Sequence, residues 1–137
     1  MKSIRNALVL SILSLIGLAG IAPRAKADVA IDFNTYAAVA FSPSTGNYGY
    51  AWNHGSRSGA ERVALSQCTE TDAKIVGWVK GGWLVVAIGD DNTYGVGYEY
   101  GQGANSRVTK LRALKELGAR TKGSETPKVF ICLCSGD

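Results

Sequence analysis

The sequence predicts an α+β domain built from two ββαβ repeats, over residues 36–80 and 83–134. One hairpin pattern occurs twice: an apolar strand, a turn of Gly, Pro, Ser, Asp or Asn, and a strand rich in Tyr and Gly. Each hairpin precedes a helix-like run that opens with Ser-Arg, and then a β-branched run. We expect one mostly antiparallel six-stranded sheet, with both helices packed on one face and a core shared around a pseudo-twofold axis.

Residues 1–27 are predicted to be a secretory signal peptide. Lys2 and Arg5 form a basic start, Leu8–Ala22 is almost wholly apolar, and Ala25-Lys26-Ala27 provides a small-x-small cleavage site. The apolar run is shorter than the ~20 residues of a spanning helix. We therefore expect an exported protein, periplasmic or extracellular, with no stable membrane span after cleavage. The alternative is an uncleaved membrane anchor.

Cleavage would leave residues 28–137 as a single exported domain with a balanced charge. The full chain has 15 basic and 11 acidic residues, a formal net charge of +4. Four of the basic residues and none of the acidic ones lie in residues 1–27. The remaining chain has a formal charge of zero, which argues against nucleic acid as a partner. We expect an envelope or extracellular partner instead.

The first repeat is predicted as two strands, a helix and a third strand. Ser42–Asn47 is a strong turn signal between the two strands. The helix should begin near Ser56 or Ser58, because Ser58 and Glu61 match the spacing of a capping box. The predicted strands are Tyr36–Phe41, Tyr48–Asn53 and Ile75–Val79.

The second repeat follows the same order. Its first strand begins at Trp83 and is apolar on both faces, which indicates a central, well-covered strand. Its helix is predicted over residues 105–117 with Gly118 as the C-terminal cap. The last strand is predicted over Lys128–Leu133. The apolar stripe expected on the helix consists of Val108, Leu111, Leu114 and Leu117.

An aromatic row on each hairpin is the candidate binding feature. The rings alternate with Gly or Ala along both Tyr-Gly strands and share one face of each. Two interpretations are open: a platform for sugars or peptide on an open sheet face, or core beneath the helices. We favour core, because a large ring gains more from burial than Gly or Ala does. The residues are Tyr48, Tyr50, Trp52, Tyr94, Tyr98 and Tyr100.

Catalytic chemistry is weakly represented in the sequence. Asp90 and Asp91 are adjacent carboxylates at a hairpin tip, where turn chemistry explains them. His54, the single histidine, has no nucleophile pattern nearby. We expect no cofactor or metal, and a non-enzymatic domain that binds a partner at the cell envelope. The alternative is a cell-wall-directed hydrolase using Asp90, Asp91 and Glu99.

Three stretches together resemble a known family. They are the hairpin from Tyr36 to Tyr50, the Ser-Arg-x-x-Ala-Glu-x-x-Ala-Leu-x-x-Cys run from Ser56 to Cys68, and Tyr94-Gly-Val-Gly with the later Ser106-Arg107. They are similar to domain-of-unknown-function family 4189, a group of small exported bacterial proteins. The resemblance implies export and an internal repeat, and it brings no catalytic residues.

Three cysteines follow the leader, Cys68, Cys132 and Cys134, an odd number. Cys132 and Cys134 share one face of a strand, which disfavours a bond between them. Cys68 could pair with either, and Cys132 is favoured because it lies nearer the middle of the strand. Family members tend to have further cysteines where this chain has Ala73 and Gly81-Gly82.

Overall fold

The computed structural model of the chain describes residues 32–121 and 126–136. The predicted signal peptide lies outside these residues. The predicted α+β class is confirmed, with two helices and six strands in the described part of the chain. The elements in order are β1 (Tyr36–Phe41), β2 (Tyr48–His54), α1 (Arg57–Gln67), β3 (Lys74–Lys80), β4 (Gly82–Ile88), β5 (Tyr94–Tyr100), α2 (Ser106–Thr121) and β6 (Val129–Ser135).

The strands form two antiparallel three-stranded sheets, so the single six-stranded sheet expected from the sequence is wrong. The strand orders are β2-β1-β3 and β5-β4-β6. Each repeat thus builds its own sheet around its first strand. Gly81 alone joins β3 to β4, and its φ of +55° lies in the left-handed region that favours glycine. One residue is too short for the usual hairpin loop, so the chain crosses to the second sheet.

The two sheets pack face to face, and the main core lies between them. Its largest fully buried side chains are Phe41 of β1 and Leu84 and Ile88 of β4. Ile131 and Leu133 of β6 also belong to this core. Because β1 and β4 are central strands buried on both faces, each needs a second cover on its outer side.

The helices supply that cover, one on the outer face of each sheet. Ala60 and Ala64 of α1 pack on Ala38 and Ala40 of β1. On the other sheet, Ala113 and Leu117 of α2 pack on Val85 and Ala87 of β4. The result is a four-layer α/β/β/α arrangement. The expectation that both helices share one face is therefore wrong, because that face is occupied by the opposite sheet.

Glycines in β2 and β5 let the helix backbones approach the sheets closely. A Cβ atom on Gly49 would overlap the carbonyl oxygen of Ala64 in α1. A Cβ atom on Gly95 would overlap the carbonyl oxygen of Ala113 in α2, and Gly97 is equally close to that helix. The helices accordingly rest on the Gly and Ala face of each hairpin.

This close packing also changes the expected stripe of α2. Thr109, Ala113 and Leu117 are buried, whereas Val108 and Leu111 are 40% and 60% exposed. The small side chains of Thr109 and Ala113 suit a contact in which the backbones nearly touch. The predicted stripe is therefore wrong at Val108 and Leu111 and right at Leu117.

The helix ends differ slightly from those predicted. Ser56 is the N-cap of α1, and its hydroxyl accepts a hydrogen bond of 3.1 Å from the Gly59 amide. Ser58 is therefore not the cap. The second helix passes through Gly118 and ends at Thr121. Gly118 does not have the positive φ of a C-terminal cap, so the helix continues through it.

Asp72 links the first hairpin turn to the loop after α1. Its carboxylate accepts hydrogen bonds from the Ser42 hydroxyl, at 2.5 Å, and from the Ser44 amide, at 3.0 Å. Both bonds favour the ionised form, and the bond from Ser42 contributes most to holding the pKa of Asp72 below its ordinary value of 3.8. The carboxylate therefore stabilises the folded state only while it is ionised.

Adding one methyl group at the helix contact tests the packing. Gly95→Ala should lower the free energy of unfolding by about 1–3 kcal/mol, because the new Cβ overlaps helix backbone that must shift. Gly118→Ala, in the same repeat, should raise it by about 0.5–1 kcal/mol through helix propensity. Urea unfolding of both variants measures this. A Gly95→Ala variant as stable as the wild type would contradict the described contact.

The Asp72 contacts predict a pH dependence of stability. Since the folded-state pKa is depressed, the contribution is fully present above the unfolded value of 3.8 and is lost as pH falls through the lower folded value. Asp72→Asn should therefore show a shallower loss of stability below pH 3.8 than the wild type. Urea midpoints at neutral pH and at successive acidic pH values measure the two slopes, and parallel curves would contradict the assignment.

Candidate binding groove

The aromatic rows lie on the face of each hairpin opposite the helices. Tyr50 and Tyr94 pack against the core between the sheets, and the Tyr94 ring meets Phe41 edge-on at 5.3 Å. Their neighbours reach past that core: Tyr48, Trp52, Tyr98 and Tyr100 are 40–54% exposed. The expectation that the rings lie under the helices is wrong. Because β2 and β5 are edge strands, the opposite sheet covers only part of each row.

A large concave feature lies between the edge strands β3 and β5. It encloses about 770 Å³, within the range of small-molecule sites. Its aromatic lining comes from Trp78 of β3 and from Tyr94, Tyr98 and Tyr100 of β5. The Tyr98 and Tyr100 rings are 5.4 Å apart, centroid to centroid. We call this feature the β3–β5 groove.

Each helix contributes an ion pair to the β3–β5 groove. Arg57 Nε donates to Glu61 Oε1 of α1 at 2.6 Å, and Arg120 pairs with Glu116 on α2. Both pairs have i,i+4 spacing. Their side chains are 24–52% exposed. Solvent therefore screens the ion pairs, so they contribute little to stability, and the side chains are accessible to a ligand.

Cations also stack on the rings of the groove. The Arg57 guanidinium lies 4.2 Å from the centre of the Trp78 ring. The Arg120 guanidinium lies 4.8 Å from the Tyr94 ring, and the Lys74 ammonium lies 5.7 Å from the same ring. These cation–π contacts fix the arginines beside the aromatic surface.

The backbone edge of β5 is already occupied by side chains of α2. The Val96 amide donates to Glu116 Oε2 at 2.8 Å, and Arg112 donates to the Tyr98 carbonyl at 3.1 Å. In the first repeat the Tyr50 amide donates to Gln67 Oε1 at 3.2 Å. Side chains of each helix therefore hydrogen-bond to backbone groups at the free edge of the strand beneath it.

The remaining ring row faces the other side of the molecule, towards β6. The Tyr48, Tyr50 and Trp52 rings form a stack with centroid spacings of 6.4 and 5.8 Å. Two hollows of about 340 and 270 Å³ separate this stack from β6, where Cys132 and Leu133 line both. Neither hollow has a charged side chain in its lining.

The six candidate residues from the sequence are thus divided between two sides of the molecule. Tyr94, Tyr98 and Tyr100 line the β3–β5 groove. Sequence reasoning missed Trp78 and the two ion pairs. The i,i+4 spacing of Arg57 with Glu61, and of Glu116 with Arg120, was the available signal.

The carboxylates proposed for a hydrolase are not brought together. Asp91 Oδ1 accepts a 2.9 Å hydrogen bond from the Thr93 amide, which is turn chemistry. The Thr93 side chain, and then its amide, hold the pKa of Asp91 below its usual value by hydrogen bonding. Glu99 lies at the other end of β5, bonded to Arg112 and to the Asn105 amide. That strand spans roughly 20 Å, whereas paired glycosidase carboxylates lie roughly 5–9.5 Å apart. His54 ends β2 and does not line the groove.

Cys68 and Cys132 are free thiols, so the expected bond between them is absent from this structure. Cys68 is buried beside α1, where its thiol donates to the Asn47 carbonyl, and burial raises its pKa. Cys132 is exposed on β6 of the other sheet. In the described residues, no three His, Cys, Asp or Glu side chains cluster as a metal site.

Fold and sequence together assign the chain to a class and a family. It is an α+β domain with a repeated ββαβ order, and residues 36–134 match the family described as "Domain of unknown function (DUF4189)". The chain belongs to this family. No curated protein matches it. Neither described helix is long and apolar enough to cross a membrane.

A solved structure is also similar to the chain. It is the NMR structure of Rv1813c from Mycobacterium tuberculosis, with 21% sequence identity and a TM-score of 0.46. The match covers 96% of this chain and 100% of the other.

The cysteine environments predict different thiol reactivities. Cys132 should react with a thiol reagent such as DTNB in the folded protein, because it is exposed. Cys68 should react only on unfolding, because it is buried. Burial raises the pKa of both thiols, so the difference in reactivity depends on access to the reagent. Native-state titration of the wild type and of Cys132→Ser measures this. A Cys68→Ser variant that loses a fast-reacting thiol would contradict it.

Proposed function

We propose that the chain is an exported, non-enzymatic domain that binds a ligand or partner of the cell envelope in the β3–β5 groove. The observation that carries the proposal is the pair of half-exposed rings, Tyr98 and Tyr100, beside two ion pairs in a concave surface. Adjacent exposed rings with convergent polar groups are typical of recognition surfaces.

The sequence supports the exported part of the proposal. Residues 1–27 have the charge, apolar and cleavage order of a signal peptide, and the chain that remains has a formal charge of zero. An exported domain with no excess charge is suited to partners other than nucleic acid. The cell envelope is the first environment such a domain meets.

The placement of the carboxylates favours binding over hydrolysis. Asp90 and Asp91 lie at one end of β5 and Glu99 at the other. Glu61 and Glu116, which do line the groove, are each paired with an arginine. Both groove glutamates are therefore already engaged by a partner within the protein.

Co-sedimentation with washed cell envelopes tests the proposal. The wild-type chain should sediment with the envelope fraction. Tyr98→Ala/Tyr100→Ala should bind at least about tenfold more weakly, since exposed aromatic anchors dominate binding energies. Val108→Ala/Leu111→Ala is the matched control, because it removes two comparably exposed apolar side chains from α2 outside the groove.

Urea unfolding should be recorded for both double variants, so that lost binding is separated from lost folding. Wild-type chain that remains in the supernatant would refute the proposal. Equal sedimentation of the two double variants would refute the assignment to the groove.

A further inference from the structure

We propose that the β3–β5 groove binds a neutral saccharide chain. This inference rests on the proposed function and names the ligand class of the same site. Three properties of the groove lead to it: accessible aromatic faces, a balanced set of hydrogen-bonding charges, and strand edges that are unsuited to adding a peptide strand.

The aromatic faces match the apolar faces of sugar rings. Tyr98 is 48% exposed and Tyr100 is 54% exposed, and their planes are tilted by 57°. Trp78, across the groove, is partly exposed, but the Arg57 guanidinium covers one of its faces, so Tyr98 and Tyr100 provide the main stacking surface. Tyrosine and tryptophan present a large rigid surface with few rotatable bonds, so they can pack on C–H groups at low entropic cost.

The charges of the groove suit a ligand that is itself uncharged. The lining contains two arginines and two glutamates, each already paired with a partner of opposite sign. A charged ligand would have to displace the existing partner of the arginine or glutamate that it binds. A hydroxyl group can instead accept from a guanidinium and donate to a carboxylate, which leaves the pair intact.

The paired side chains also have hydrogen-bonding groups that their partners do not use. A guanidinium has five N–H donors, and Arg57 uses Nε for Glu61. At 52% exposure, the rest of that side chain can reach a ligand hydroxyl. Charge-assisted bonds of this kind are stronger than bonds between neutral groups.

The strand edges favour a saccharide over an extended peptide. A peptide that adds to a sheet needs free backbone groups, but Glu116 and Arg112 already hold Val96 and Tyr98 of β5. The opposing strand, β3, has a lysine at each end and a register irregularity in its pairing with β1. Terminal lysines and bulges discourage strand addition.

The other side of the molecule provides an internal comparison. Trp52 in its ring stack is 50% exposed, which is comparable with Tyr98 and Tyr100 in the groove. The hollows beside it lack charged lining residues. Rings without charged hydrogen-bonding partners give a saccharide less orientation, so the inference applies to the β3–β5 groove alone.

The experiment divides one washed envelope preparation into three parts: untreated, oxidised with periodate, and digested with protease. Periodate cleaves the vicinal diols of sugars, so it should abolish co-sedimentation of the wild-type chain. Protease digestion should leave it unchanged. Raising the salt concentration from about 0.05 to about 0.5 M should weaken binding less than about twofold, because no net charge is neutralised.

The variants locate the ligand. Tyr98→Ala/Tyr100→Ala should bind untreated envelope at least about tenfold more weakly, whereas Trp52→Ala on the other side should bind as the wild type does. Binding that survives periodate and is lost with protease would overturn the saccharide inference and leave the proposed function standing. Binding that falls tenfold or more with salt would overturn the neutral character of the ligand. No wild-type binding to untreated envelope would overturn both proposals.

Discussion

The rest of the structure depends on the close approach of each helix to the glycines of one edge strand. Gly49 lies against α1, and Gly95 and Gly97 lie against α2, at distances that leave no room for a Cβ atom. Helices placed there occupy the outer faces. The opposite faces of the two hairpins must then cover each other, and the large apolar side chains of β1 and β4 form the core between them.

The aromatic rows are exposed for the same reason. A three-stranded sheet can bury its central strand fully, and β1 and β4 are buried throughout their middles. The edge strands carry the rings, and only Tyr50 and Tyr94 reach the shared core. The outer rings remain half in water, and those of β5 form one side of the β3–β5 groove.

Much of the fold could be predicted from the sequence, because the element order depends on local periodicity. The alternation of Tyr48, Tyr50 and Trp52 with Gly and Ala correctly indicated a strand whose rings share a face. Alternation says which residues share a face, but it does not say what covers that face. Because burial of the rings is energetically favourable, we expected the helices to cover the ring face. The glycines, which have no side chains, were the signal for the face on which the helices pack.

The groove depends on how the two sheets stack, which no local sequence pattern specifies. Hence the sequence could not predict that Arg57 and Glu116, about 60 positions apart in the chain, line the same groove.

The repeat also shows how one structural task can be solved with different chemistry. Tyr50 and Val96 occupy the same place in their hairpins, and each amide is held by a side chain from the following helix. In the first repeat the acceptor is the neutral amide of Gln67. In the second it is the carboxylate of Glu116, whose other oxygen pairs with Arg120. An acid in place of the amide at this position keeps the strand amide hydrogen-bonded and adds a charge that pairs with a cation. The same folding contact thus leaves a neutral side chain at this position of the first repeat and one member of an ion pair at the matching position of the second.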